Sequence, residues 1–329
     1  MTAHQPPPAA QRVRLTGPAH IVRAVPYLLG HHGLRDDLVV LATRDRRTVL
    51  TARTDLSVLH QATLWAHAGP ALDKAGARTV YLIAYPARID DTALERLHAG
   101  FQSTAAVAPA GLVVVQAITA CEGSWWTHDL TGPAPCGPGE PLVGDDSLDL
   151  NLSITHGTPA ASRHDVLQAL APHPPTVRTA VRDAIAELGR PSRGERRQAA
   201  AAALARRTSR PVPWSVPEAA EVLDALSDVI VRDTMVLRCV DEHASWTWQT
   251  LLPYAPTSHT APVATLAAIA AHQRGNGVLA RGCIDRAREA DPHYTLAQMF
   301  QQILDYALTP EDVRANVLAP ARAELETRD

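Results

Sequence analysis

Apolar positions in the first half of the chain fall in short unbroken runs, the pattern of strands rather than of amphipathic helices. Residues 38–44, "LVVLATR", and 48–54, "TVLTART", are rich in β-branched residues. They are separated by the polar "DRR" and predict a hairpin. Residues 79–85, "TVYLIAY", and 112–118, "LVVVQAI", are continuous apolar runs bounded by turn residues, which suits strands buried on both faces. Between them a helix opens near Asp90-Asp91-Thr92 and places Leu94, Leu97 and Phe101 on one side. Strand, helix, strand makes a βαβ unit with at least one parallel pair. A further helix opens at Asp55-Leu56-Ser57, carries Leu59, Leu64, Trp65 and Leu72, and stops at Gly76.

After His156-Gly157 the pattern changes to a helical period. Ser162-Arg163-His164-Asp165 and Ser215-Val216-Pro217-Glu218 have the form of capping boxes. Thr309-Pro310-Glu311-Asp312 places proline in a first helical turn. No strand pattern follows Ile154, and "APHPP", residues 171–175, reads as a bend. Residues 266–304 read as one tetratricopeptide-like helix pair plus the next helix, with Ala267, Ala270, Ala280 and Ala287 allowing close packing. No second copy occurs at a fixed period, so this is a packing unit and not a solenoid. The expected fold is an α/β half with a mixed sheet followed by an all-α half. The expected limits are a disordered tail over 1–13, an α/β domain over 14–156 and a helical domain over 157–329.

Composition narrows the function classes. The 329 residues carry a net charge of −3, so no global basic balance points to nucleic acid. Lys74 is the only lysine. No apolar run reaches the ~18 residues of a membrane span, and the N-terminus lacks the pattern of a secretory signal. Four scattered cysteines in so long a chain point to a reducing compartment, hence the cytoplasm.

Residues 121–142, "CEGSWWTHDLTGPAPCGPGEPL", hold two adjacent tryptophans and two of the cysteines just beyond the strand ending near Ile118. Ligands of open α/β sheets sit beyond the carboxyl ends of strands. Neighbours in a strand face opposite sides, so one ring enters the core and the other faces outward or toward the helical half. The pair is either two hydrophobic anchors that clamp the Pro/Gly loop onto the helices or an aromatic wall of a cleft, and alternation with His128 makes Trp126 the expected exposed member. Arg53 and Asp55, two apart at a strand end, share a face. Arg232-Asp233 interrupts the apolar pattern of Val222, Leu223, Leu226, Val229, Ile230 and Val236, either as an interdomain ion pair or as part of a site. Arg53, Asp55, Tyr85, Trp125, Trp126, His128, Arg232 and Asp233 are therefore the candidate lining of a cleft between the halves.

Other chemistries find less support. Cys121 and Cys136 lie fifteen apart with only His128 between them as a further strong ligand, so no metal and no cofactor is expected. There is no phosphate-binding loop, no dinucleotide fingerprint and no nucleophile elbow. "GHHG", residues 30–33, reads as a polar turn. The run over 189–211 offers Arg193, Arg196, Arg197, Arg206, Arg207 and Arg210 to phosphates, but its central alanines support a plain helix and no aromatics interleave for base stacking.

Taken in order, "AVPYLLG", "DDLVVL", "TARTDL", "YLIAY", the tryptophan pair with its Cys/Pro/Gly loop, "SRHDVLQALAP", "VIVRD" and "EADPHYTLA" resemble an actinobacterial family known only as domain of unknown function 4192. The resemblance spans about residues 14–310 and implies no activity. Family members look richer in cysteine in the tryptophan loop; here Leu130 and Pro135 stand at the matching positions and leave Cys136 alone. With no catalytic constellation of defensible spacing, the expectation is a non-catalytic accessory or regulatory protein that binds a protein partner. The alternatives are an enzyme or small-ligand sensor using the cleft, and nucleic-acid binding through the arginine run.

Overall fold

The computed structural model describes residues 13–60, 63–156, 158–189, 191–209, 212–241 and 243–326. Residues 1–12 of the expected tail lie outside them. The chain forms two compact units, the first ending at Arg163 and the second beginning at His164.

The first unit opens with α1 (Pro18–Leu29), closed by Gly30 in the left-handed region at φ 81°. β1 (Asp37–Arg44) and β2 (Arg47–Asp55) form the expected hairpin. Its turn is Asp45-Arg46, both at positive φ (51° and 62°). A two-residue turn of that hand matches the twist of the strands, so Arg47 joins the ladder. The next helical stretch is divided into α2 (Ser57–His60) and α3 (Leu64–Lys74). β3 (Thr79–Tyr85) leads to α4 (Asp91–Ala106), which is capped by Asp90 accepting from the Ala93 N–H. β4 (Val113–Cys121) pairs parallel with β3, as the βαβ pattern requires. β5 (Ser124–His128) and the two-residue β6 (Glu140–Pro141) complete one mixed sheet of order β2-β1-β3-β4-β5-β6, and α5 (Asp146–His156) follows.

Alternate residues of β1 and β3 feed two cores. Leu38, Val40, Val80 and Leu82 pack with Leu59, Leu64, Trp65, Leu97 and Phe101 of the helices following β2 and β3. Val39, Leu41 and Ile83 pack on the other face with Ile21, Val22, Val25 and Leu29 of α1. The sheet is thus sandwiched, which is why its central strands read as unbroken apolar runs.

The second unit begins in the first turn of α6 (Arg163–Gln168) and continues with α7 (Pro175–Glu187), α8 (Arg193–Ser209), α9 (Val216–Ala225), α10 (Val229–Leu237) and α11 (Ala244–Leu251). α12 (Thr257–Gln273), α13 (Gly277–Ala290), α14 (Thr295–Asp305), α15 (Pro310–Val313) and α16 (Ala319–Glu326) follow, with a π-helical turn at Arg314–Leu318. Both Ser215 with Glu218 and Thr309 with Asp312 form reciprocal capping boxes. α12 is buried round its circumference from Val263 to Gln273 and is the hub of this unit. Its alanines let α13 approach closely.

α8 contains most of the arginine run, and its alanines do more than separate charges. Ala200, Ala203 and Leu204 are buried. Arg196 donates from Nε and Nη2 to the two oxygens of Asp224 at 2.9 and 3.2 Å, and Arg193 donates to Asp228 at 2.9 Å. The side chains of Arg206 and Arg207, and all of Arg210, lie outside the described residues. Arg196 and Arg193 thus tie α8 to the region of α9 and its C-terminal turn. Replacing Asp224 by Ala leaves the half-buried Arg196 unpaired and is expected to lower stability by about 2 kcal/mol in urea denaturation.

Candidate functional site

The tryptophan pair belongs to a hairpin and not to a loop beyond a strand. β4 runs on past Ile118 to Cys121, and Glu122-Gly123 (φ 48° and 79°) turn it directly into β5. In this register Trp125 lies opposite Ala120, and Trp126 opposite Thr119. Trp125 therefore shares the α1 face with Ile118 and Tyr85. Trp126 turns to the α4 face and packs with Leu94, Ile89 and Cys121.

This reverses the expected asymmetry. Trp126 is only 6% exposed, whereas Trp125 is partly exposed. His128 does share the Trp126 face, but α4 covers that face and His128 is buried as well. The Trp126 indole N–H donates to the Gly137 carbonyl at 3.0 Å. Gly139, at φ 74°, lies so close to the indole that a Cβ there would come within 2.5 Å of it. The loop that follows β5 is thereby folded back onto Trp126.

A chain of hydrogen bonds anchors the other end of this loop. His98 Nε2 lies 3.0 Å from the Gly132 carbonyl, His98 Nδ1 lies 3.3 Å from His128 Nδ1, and His128 Nε2 lies 2.8 Å from the Thr119 hydroxyl. A carbonyl only accepts, so His98 must carry its proton on Nε2. Its Nδ1 then accepts from His128 Nδ1–H, and His128 Nε2 accepts from Thr119. This proton arrangement gives every ring nitrogen of the pair a partner. Burial, aided by the charge His98 can carry, pushes the His128 pKa down to about 4.

The tail of the loop returns as β6, pairing Ser124 with Pro141 and Trp125 with Glu140. Between the β5 edge and residues 135–140 lies a pocket of about 610 Å³ lined by Trp125, Trp126, Thr127, Pro135, Pro138 and Glu140, with Cys136 beside them. The Cys136 thiol is exposed; those of Cys121, Cys239 and Cys283 are buried. Burial raises the pKa of all three, that of Cys283 to about 12, which makes them poor nucleophiles. Among the described residues no group of three or more His, Cys, Asp or Glu side chains could hold a metal ion.

The remaining candidates of the first unit do not join this pocket. Arg53 Nε lies 3.5 Å from the carboxylate of Asp37, which is buried. Asp55 accepts from the Ser57 N–H at 2.8 Å at the start of α2, and hydrogen bonds from the Ser57 side chain and backbone hold its pKa below the usual range. The Tyr85 hydroxyl points to the Val22 carbonyl at 3.4 Å, and burial raises its pKa. The "GHHG" turn is not simply polar: His31 is fully buried and forms a bridge with Ala160. Burial, followed by the charge of Arg53, lowers its pKa.

Arg232 and Asp233 belong to the second unit and form a pair within it. Arg232 donates to Asp233 Oδ1 from Nε (2.9 Å) and Nη2 (2.6 Å), and to the Tyr294 hydroxyl from Nη1 (3.1 Å). Its guanidinium also lies 5.6 Å from the Tyr294 ring centroid. Burial works against its charge, but the hydrogen bonds it donates to Asp233 and Tyr294, together with the charges of these two partners, outweigh this and raise the Arg232 pKa. The cluster borders a cavity of about 450 Å³ between α10, α14 and α16, floored by Val236, Leu296, Met299, Val317 and Leu318. Tyr294 and Met299 carried no signal in the sequence beyond the expected helix boundary at Asp291-Pro292.

Two outcomes follow from the first-unit geometry. Trp126→Ala empties a buried site and is expected to cost ~3–5 kcal/mol, whereas Trp125→Ala costs about 1–2 kcal/mol; thermal melts of the two variants compare them. His128 in the folded chain holds its proton more weakly than the unfolded chain's value of 6.5. Its contribution is fully present above about pH 6.5 and is lost as pH falls through about 4, up to about 3 kcal/mol. Urea midpoints measured between pH 7.5 and 4.5 should fall less steeply in His128→Gln than in the parent.

No curated protein and no solved structure matches the chain. Residues 18–311, which include both tryptophans, the His98–His128 pair and the Arg232–Asp233–Tyr294 cluster, match a family described as a domain of unknown function, DUF4192. The chain belongs to that family.

Proposed function

We propose that the protein acts by binding and not by catalysis, as an accessory or regulatory interaction protein, and that the groove of the helical unit receives a protein partner. One observation carries this reading. Met299 (54% exposed) and Val317 (37% exposed) present apolar surface at a concave site whose wall holds a fully engaged arginine. Methionine adapts its shape to varied apolar surfaces. Arg232, already held by Asp233 and Tyr294, loses little freedom when a partner arrives. Asp233, Asp291 and Glu324 line the groove, and the cations there are Arg232 and, when protonated, His293. The fitting partner is an apolar segment flanked by Lys or Arg.

In this reading α12 and α13 serve as a tetratricopeptide-like packing unit that supports α14 and the groove. Four cysteines, none of them in a disulfide, support a cytoplasmic setting. No helix of the described residues is long and apolar enough to cross a membrane.

Display of random peptides against the immobilised full chain tests the groove. The selected peptides should combine an apolar anchor with basic flanks, and raised salt should weaken them. Met299→Asp should abolish their binding while leaving the melting temperature within a few degrees, since Met299 is exposed. Failure to enrich any peptide, or equal binding to the variant, would rule the reading out.

A further inference from the structure

We propose that the pocket at the outer edge of β5 binds a compact organic cation carrying apolar substituents: an alkylated ammonium group, either free or borne on a lysine side chain. This site is in the first unit and does not depend on the groove of the helical unit.

The pairing of β5 with β6 supplies the central geometry. Trp125 and Glu140 are direct partners across an antiparallel pair. Directly opposed residues point to the same face with Cβ atoms roughly 5 Å apart. A carboxylate therefore stands beside an indole that is partly exposed. Among the residues lining the pocket Glu140 is the only carboxylate, and none is Lys, Arg or His. Pro135 and Pro138 add apolar surface.

The walls are in place before any ligand arrives. Trp126 holds the Gly137 carbonyl through its indole N–H, and Gly139 rests against its ring. The Gly137 N–H reaches Asp91 at 3.4 Å, so a second carboxylate lies near the rim. The volume of about 610 Å³ falls within the range of small-molecule sites.

Electrostatics then choose the ligand class. The face of an indole attracts cations, and a neighbouring carboxylate adds to that attraction. A bare ammonium is strongly hydrated and loses water at a high cost. Alkyl substitution weakens that hydration and gives the prolines and the indole something to touch. Anions meet Glu140 and find no cationic side chain in the lining.

Calorimetric titration of the full chain tests this with four probes. They are choline, its neutral carbon isostere 3,3-dimethylbutanol, a peptide with trimethyl-lysine, and the same peptide unmodified. Cys136 supplies an independent readout, because the other three thiols are buried and its alkylation by iodoacetamide reports occupancy of this pocket. Choline or the trimethylated peptide should bind saturably and slow alkylation of Cys136. The neutral isostere or the unmodified peptide should bind about tenfold more weakly. Glu140→Gln should weaken binding several-fold and Trp125→Ala should abolish it. Trp125→Phe, which keeps a ring in the same place, should retain part of it. Tighter binding of the trimethylated peptide than of choline identifies a protein-borne cation; the reverse identifies a free one. The proposal is overturned by absence of saturable binding of either cation at millimolar concentration, by equal binding of the neutral isostere, or by indifference to Glu140→Gln and Trp125→Ala in variants whose circular dichroism shows them folded at the titration temperature.

Discussion

β1 and β3 present apolar side chains on both faces, so the sheet of the first unit must be covered on both sides. Val39, Leu41 and Ile83 require α1, while Leu38, Val40, Val80 and Leu82 require the helices that follow β2 and β3. The same two-sided demand reaches the less apolar edge of the sheet. β5 is locked to β4 by a two-residue turn and cannot choose its register, so each side chain goes to the layer that its parity dictates. Trp125 goes to the α1 side and Trp126 to the α4 side. Two adjacent identical residues thereby acquire different roles, one partly exposed beside Glu140 and one buried under a glycine.

The loop after β5 is held at both ends by polar contacts that burial makes demanding. Its first turn is fastened through Gly132 to His98, and Gln102 reinforces it by donating to the Leu130 carbonyl at 3.2 Å. Its far end is fastened through Gly137 to the Trp126 indole. A neutral imidazole has one donor and one acceptor, so the two histidines can satisfy Gly132 and Thr119 together in a single arrangement of protons. A protein interior penalises an unpaired polar atom more than water does. That penalty makes the loop a defined wall, although it contains three glycines and three prolines between Gly132 and Glu140.

The helical unit meets its burial demand differently. α12 is enclosed on all sides and rich in alanine, so its neighbours approach closely and their outer faces are left to solvent. The cluster of Arg232, Asp233 and Tyr294 lies on such a face. The Arg232 side chain is only 16% exposed, and its charge is sustained there by one carboxylate, one phenol hydroxyl and the face of an aromatic ring. The arrangement is specific because a planar five-donor group accepts few alternatives.

The sequence by itself determined much of the architecture. Unbroken β-branched runs marked β1 to β4, and spacing and capping residues marked α4, whereas the strands give way to helices after Pro141, ahead of the change of period read near residue 157. These are local signals, since strand and helix periods and cap chemistry act within a few residues. The turn at Glu122-Gly123 was written as locally but passed for part of a loop, because a short strand with His, Thr and two tryptophans does not alternate as a half-exposed strand should. Tertiary structure alone decided which tryptophan is buried, because parity says only that the two differ and the cover provided by α4 says which face is dry. It also decided the partners of the charged candidates. Arg53 turned to Asp37, Asp55 to the start of α2, and Arg232 to Tyr294, which is sixty-two residues away in the chain. Ion pairs depend on which surfaces the packing brings within a few ångströms, and no local period carries that information.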